Sequence, residues 1–300
     1  MVFSNSWNSK VALEDVMKVL FFGDFNPQST NISQADAFER LGCEVCRYDF
    51  RNPESKAEGD ARDHEMVAYK QTEDPGIILF SKCNEVPNWV VEECRGPVRV
   101  LWYMDPYNFS YTDQLVGKMV LCELVFCNIW EAHERTLARG ISSVLLQEGF
   151  DATVDRIRDV EYEDDVTFIG GFRGPERSQY HERFRFKVIQ NAYREEHAIA
   201  VGRSRINLNF TEGGSSDRTY KVMAAGGFLL TQPWPHMEDD FEEGKDLEVF
   251  RSPEEFEEKV EFYLLNEDKR LDIAWQGNRT VRKFTRDAWA QRILEASRCK

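Results

Sequence analysis

Short runs of consecutive apolar residues, each closed by glycine or a polar loop, alternate along the chain with stretches whose apolar residues recur at helical spacing. Lys18-Val-Leu-Phe-Phe-Gly23 is the first such run. The polar loop Asp24 to Ser33 follows, then Ala35, Ala37, Phe38 and Leu41 fall at helical spacing, and Gly42 closes that helix. Val45 to Phe50 reads as the next strand, so the opening unit is strand, helix, strand. Further apolar strands are predicted at Ile77 to Phe80, Val98 to Tyr103, Leu124 to Cys127 and Ser142 to Gln147, with helical stretches between them. This alternation predicts a parallel α/β class.

The segment Asp151 to Asp165 is charged, poor in apolar residues and free of turn glycines, and is read as a linker. The pattern then restarts with the strand Val166-Thr-Phe-Ile-Gly170-Gly171 and one helix from about Glu176 to Tyr193. Next come the strand Ile206 to Phe210, a Gly/Ser-rich loop, a helix to Ala225 stopped by Gly226 and Gly227, and the strands Phe228 to Thr231 and Leu247 to Phe250. Ser252-Pro253-Glu254-Glu255 combines a capping serine, proline at the first helical position and a glutamate three residues on, which starts a helix. Two more helices, about 268 to 283 and 287 to 297, finish the chain. The organisation predicted is an N-terminal domain over 1–155 and a C-terminal domain over 156–300. Sheets of this doubly wound kind bind ligands at the carboxyl ends of their strands, so a cleft between the two domains is the expected site.

Composition narrows the chemistry. No run of about 18 apolar residues is present, and Met1 to Asn8 lacks the pattern of a signal peptide, so no membrane insertion and a cytoplasmic location are expected. The seven cysteines are odd in number and lie mostly within apolar runs, as reduced core thiols do. Cys43 and Cys46 form a CxxC, but between a helix end and a strand rather than at the helix N-terminus that redox chemistry needs. The net charge of −15 repels nucleic acid and acidic membranes on average. Against it, the stretch Arg173 to Arg205 carries eight Arg or Lys and four Glu, a basic island suited to a small anionic ligand.

One loop is suited to phosphate. Glu212-Gly213-Gly214-Ser215-Ser216-Asp217-Arg218-Thr219 lies between a buried strand and a helix start. Free N–H groups, the helix dipole, two glycines and an arginine favour a diphosphate there, while a loop simply capped by Ser216 or Asp217 fits the same pattern.

A longer stretch carries a resemblance. Arg205-Ile-Asn207-Leu-Asn209-Phe, Arg218-Thr-Tyr-Lys-Val-Met-Ala224-Ala-Gly226-Gly227-Phe-Leu-Leu-Thr231, Phe241-Glu-Glu-Gly244-Lys245 and Phe250-Arg-Ser-Pro253-Glu-Glu-Phe occur in that order. Together they resemble the C-terminal domain of CgeB-like glycosyltransferases, relatives of glycosyltransferase group 1. The first half resembles that family more loosely, through the Gly23 loop, Trp102-Tyr-Met-Asp105-Pro106 and Leu145-Leu-Gln-Glu148-Gly149-Phe-Asp151. The resemblance implies a GT-B fold: two Rossmann-like doubly wound domains facing a central cleft, with the C-terminal helices packing back toward the first domain.

What it implies for the site is specific. The second domain would hold a nucleotide-sugar donor through Gly170, Gly171, Arg173, Asn209, Gly213, Gly214, Ser215, Ser216, Arg218, Thr219, Tyr220, Lys221 and His236. Arg218 would also stabilise the departing diphosphate, so neither metal nor other cofactor is expected. Asp24 and Asp105, at strand ends of the first domain, are the candidates for catalytic base or acceptor ligand. In related enzymes two glutamates flank this loop and helix, the second holding the donor ribose. Here Lys221 stands at the second position and Glu212 is only adjacent to the first. The acceptor is left open among small molecule, glycan, protein and modified DNA base. A non-catalytic sugar- or nucleotide-binding protein and a GT-B epimerase are the competing readings.

Overall fold

The computed structural model describes residues 16–105, 111–172, 174–211 and 213–300. Its first sheet has the order β2-β1-β3-β4-β5-β6, built from β1 (Lys18–Gly23), β2 (Glu44–Asp49), β3 (Ile77–Ser81), β4 (Val98–Tyr103), β5 (Leu124–Cys127) and β6 (Val144–Leu145). Its second sheet has the order β11-β10-β9-β7-β8, built from β7 (Asp164–Ile169), β8 (Lys187–Ile189), β9 (Ser204–Asn209), β10 (Leu229–Thr231) and β11 (Glu248–Val249). All the strand pairs are parallel. In each sheet the chain reverses its winding beside the first strand, between β1 and β3 and again between β7 and β9. Those two crevices are where side chains and loops diverge and a ligand can enter.

The apolar runs read from the sequence are strands covered on both faces. Val19, Leu20, Phe21 and Phe22 of β1 are all fully buried. Leu20 and Phe22 join one core layer with Ile78, Phe80 and Tyr103, while Val19 and Phe21 join the opposite layer with Leu79, Val100 and Trp102. On the first layer lie α2 (Gly59–Glu73), α3 (Asn88–Glu93), α4 (Asp113–Leu121) and α5 (Trp130–Ala138). The second layer is closed by α1 (Thr30–Arg40) together with the last helix of the chain, α11 (Arg286–Ser297). Trp289 of α11 sits 5.6 Å from the ring of Phe38 and 5.5 Å from that of Trp102, both in edge-to-face contact. The C-terminal helix therefore completes the core of the first sheet, as the resemblance implied.

Between β7 and β9 the structure departs from the expected single helix. The segment folds as α6 (Pro175–Phe184), β8 and α7 (Glu195–Gly202). Arg185 takes a left-handed φ of 53° and ends α6, a turn that sequence reading assigns to glycine or asparagine. Phe186 and Val188 then enter the second core beside Phe168 and Leu208. α8 (Asp217–Ala224), α9 (Pro253–Leu265) and α10 (Glu267–Thr280) complete this half, and α9 starts on the predicted cap, with Ser252 accepting from Glu255 N.

The chain passes between the sheets twice, and the two crossings lie side by side. Phe150 N donates to Phe284 O at 3.0 Å and Arg286 N to Phe150 O at 2.7 Å. Gly149, at φ 69°, lies so close to the returning segment that a Cβ there would stand 2.3 Å from Phe284 O. Only glycine fits this crossing.

Candidate active site

The winding reversal of the second sheet carries the loop that the sequence singled out. β7 ends at Ile169 and β9 at Asn209, and the side chain of Arg218, from the first turn of α8, lies across both. Its Nε donates to Ile169 O at 2.6 Å and its Nη1 to Asn209 Oδ1 at 2.8 Å. The guanidinium stands 4.5 Å from the ring of Phe168. Gly170 has φ 145°, and a Cβ on it would lie 2.3 Å from Arg218 Nη2, so the glycine makes room for the arginine. Gly170, Asn209 and Arg218 are thus brought together at one point, with Gly171 directly following.

The loop Gly213 to Ser216 then leads into α8. Ser216 Oγ donates to Asn209 Oδ1 at 3.2 Å instead of capping the helix, so no side-chain cap closes the first turn of α8. An anion is the natural partner for such a helix start. Ser215 is buried, and its hydroxyl is 2.8 Å from Tyr220 Oη. Gly214 packs on Ile129 of the first domain.

Three of the expected donor-binding residues adjoin the loop but are closed off from solvent. Asn209, Thr219 and Tyr220 are fully buried and support the loop from beneath, Asn209 Nδ2 reaching Thr219 and Thr231 at 3.4 and 3.1 Å. The cause is helical periodicity: Thr219, Tyr220, Val222 and Met223 turn toward the core, leaving Arg218 and Lys221 on the cleft side. Arg173 and Glu212 lie outside the described residues.

Lys221 has its own partner, Asp217 Oδ2, at 2.5 Å. It lines a narrow interdomain crevice of about 40 Å³ with Pro27, Ser29 and Ser33 of the first domain and Asp155, Tyr193 and Arg194. On the opposite side His236 stacks on Trp130 of the first domain at 3.7 Å between ring centroids. This interdomain stack was not anticipated.

The two carboxylates expected to act as base stand at first-sheet strand ends and are already bonded. Asp24 accepts from Asn26 Nδ2 at 2.6 Å and Arg51 Nη1 at 3.1 Å. Asp105 pairs with Lys82 and accepts from Asn84 Nδ2 at 3.2 Å.

A further acid comes closer to the loop. Asn128 Nδ2 donates to Glu148 Oε1 at 2.8 Å and stands 3.4 Å from Ser215 O, so one amide joins that carboxyl to the loop. Burial pushes the Glu148 carboxyl up, the Asp217 carboxylate adds to the push, and Arg286 offsets only part of it, leaving Glu148 at about 7. For Asp217 burial works against the charge, but Lys221 and Arg286 outweigh it and hold that carboxylate well below its usual range. His197, buried nearby, is pulled down to about 3 by burial and then by Lys221, with Asp217 opposing and Arg218 adding to the fall. Sequence reading missed this cluster because Glu148 and Arg286 are 138 positions apart and meet only where the chain crosses between sheets.

Among the described residues one group of side chains could gather a metal ion, Glu44, Cys46 and Glu73, at the opposite strand ends from the cleft. The Lys18 ammonium already stands 2.9 Å from Glu44 and 3.4 Å from Glu73. Burial and the Glu73 hydrogen bond push the Cys46 thiol up to about 11, the reverse of a redox-active CxxC. Among the described residues, no helix is long and apolar enough to cross a membrane.

Residues 125–295 match the family described as glycosyl transferase-like, more than half of the chain, and the chain belongs to that family. No curated protein sequence matches it. Among solved structures it is similar to HepE of Anabaena in complex with UDP-glucose, with a TM-score of 0.69 at 13% identity over 95% of this chain and 100% of that one. It is also similar to sucrose-phosphate synthase of Thermosynechococcus elongatus, with a TM-score of 0.68 at 10% identity over 94% and 98%. The apo lipopolysaccharide outer core galactosyltransferase WaaB gives 0.61 at 14% identity over 93% and 99%. The fold is GT-B, and the protein is a glycosyltransferase of that type.

Proposed function

We propose that this chain moves a sugar from a nucleoside diphosphate sugar to an acceptor hydroxyl or amine without a metal ion, in the cytoplasm, and that it is CgeB-like. The observation that carries the reading is the Arg218 clamp over β7 and β9 beside an uncapped helix start. The donor diphosphate would lie along Gly170, Gly171, Gly213 and the first turn of α8. There the helix N–H groups and Arg218 face the negative charge that grows as the leaving group departs. Uridine is the base to try first, because HepE was solved with UDP-glucose.

Lys221 departs from the ribose-binding glutamate of related enzymes, and its ion pair with Asp217 suggests that it shapes the loop rather than the ribose contact. Because the crevice holds only about 40 Å³, donor entry would require the sheets to separate at the paired crossings. Hydrolysis of UDP-sugars, followed as UDP release without acceptor, tests the reading. Release of UDP by the wild type is expected, and binding of UDP-sugars with no turnover under any acceptor condition would favour the non-catalytic alternative.

A further inference from the structure

A second cavity, of about 400 Å³, opens beside the edge strand β2 and lies within the size range of small-molecule pockets, roughly 300 to 1,000 Å³. Phe25, from the loop after β1, and Ile32, from the first turn of α1, form one wall. β2 and the loop after it contribute Tyr48, Asp49 and Glu54, and Glu65 and Tyr69 of α2 close the far side. None of the residues placed at the Arg218 clamp lines it.

Its chemistry is uneven in a useful way. The rings of Tyr48 and Tyr69 lie 5.3 Å apart at 52°, an aromatic corner with polar tips. Tyr48 Oη donates to Glu65 Oε1 at 3.0 Å, and the other Glu65 oxygen takes the Ser55 hydroxyl. A carboxylate has about four acceptor positions, so Glu65 keeps capacity for further donors. Asp49, Glu54 and Glu65 set three negative charges against one lining cation, Arg47. That guanidinium is already held by Asp36 at 2.9 Å and Glu39 at 2.7 Å. Apolar ring faces beside hydroxyl acceptors suit a pyranose, and the negative field disfavours phosphate, sulfate or carboxylate on the ligand.

Resting on the glycosyltransferase reading, we infer that this cavity is a subsite for the non-reacting part of the acceptor, and that this part is a saccharide without anionic groups. The loop after β1 and the first turn of α1, which supply Phe25 and Ile32, also supply Pro27, Ser29 and Ser33 to the interdomain crevice. A saccharide seated against Tyr69 would then lie on the same stretch of chain, residues 25–33, that borders the interdomain crevice. The same charges disfavour nucleic acid as acceptor.

The test is calorimetric titration of the full chain with maltotriose, lactose and N-acetylchitotriose as neutral probes, and with trigalacturonate and a duplex DNA oligomer as anionic ones. UDP is titrated in parallel. At least one neutral probe binds, Tyr69→Ala weakens it about tenfold, Tyr69→Phe restores it, and neither change alters UDP affinity. If Tyr69→Ala does not fold, Glu65→Gln supplies the same comparison, since it removes a charged hydroxyl acceptor. The inference is overturned if no neutral probe binds while UDP does, if an anionic probe binds as tightly, or if neither variant weakens saccharide binding. Failure of UDP to bind the wild type would instead strike the donor reading.

Discussion

Glu148 gives the fold a pH dependence whose size follows from the residue's surroundings. Its carboxyl is held at about 7 in the folded chain, against an ordinary value of 4.5. Between those two pH values the folded state keeps a proton that the unfolded state has lost, so this group's stabilising contribution declines as pH rises. At about 1.4 kcal/mol per unit, the loss from pH 4.5 to 7 is about 3 kcal/mol. His197 works in the opposite direction. Held neutral down to about 3, it contributes stability above its ordinary 6.5 that is lost as pH falls, so the two slopes oppose each other near pH 5 to 6. Replacing Glu148 by Gln keeps an amide oxygen for Asn128 and removes the titration. Urea unfolding of both proteins at half-unit steps from pH 4.5 to 8 measures the difference. Glu148→Gln should gain on the wild type by up to about 3 kcal/mol across that range. A difference that stays constant with pH would refute the buried, shifted carboxyl.

Further expectations follow from packing and charge. Trp289→Ala removes the ring that joins α11 to Phe38 and Trp102, and should cost about 3 to 5 kcal/mol in thermal or denaturant unfolding. Lys221→Glu, which restores the residue type of related enzymes, should fail to improve UDP binding and should destabilise the fold by about 1 to 3 kcal/mol, because it sets a third carboxylate beside Asp217 and Glu148. A rise in melting temperature in that variant would show that the Asp217 pair is not structural. Gly149→Ala should be strongly destabilising, since its Cβ meets Phe284 O, and an unchanged melting temperature would place the crossings elsewhere.

Much of this architecture is legible in the sequence because its signals are local. Val19 to Phe22 is apolar without alternation because both faces of β1 are covered, and Gly226 with Gly227 does mark the end of α8. The loop before α8 was legible for the same reason: two glycines and a helix start lie within eight residues. β8 was not. It is three residues long, it lies in an Arg-rich stretch, and the turn before it is made by Arg185 in a left-handed conformation without a glycine to announce it. The burial of Thr219 and Tyr220 depends on which helix face meets the sheet, which the motif alone does not state. The Glu148, Asp217 and Arg286 cluster and the Trp130 to His236 stack join distant parts of the chain, so no window of sequence contains them.

The proposed diphosphate site rests on Arg218 and the start of α8. Calorimetric titration of UDP into the wild type, Arg218→Ala and Arg218→Lys tests it most directly. The guanidinium makes charge-assisted hydrogen bonds of about 1.5 to 3 kcal/mol, so Arg218→Ala should weaken UDP by roughly 10- to 150-fold, with Arg218→Lys between it and the wild type. Equal UDP affinity in all three folded proteins would show that Arg218 does not hold the diphosphate.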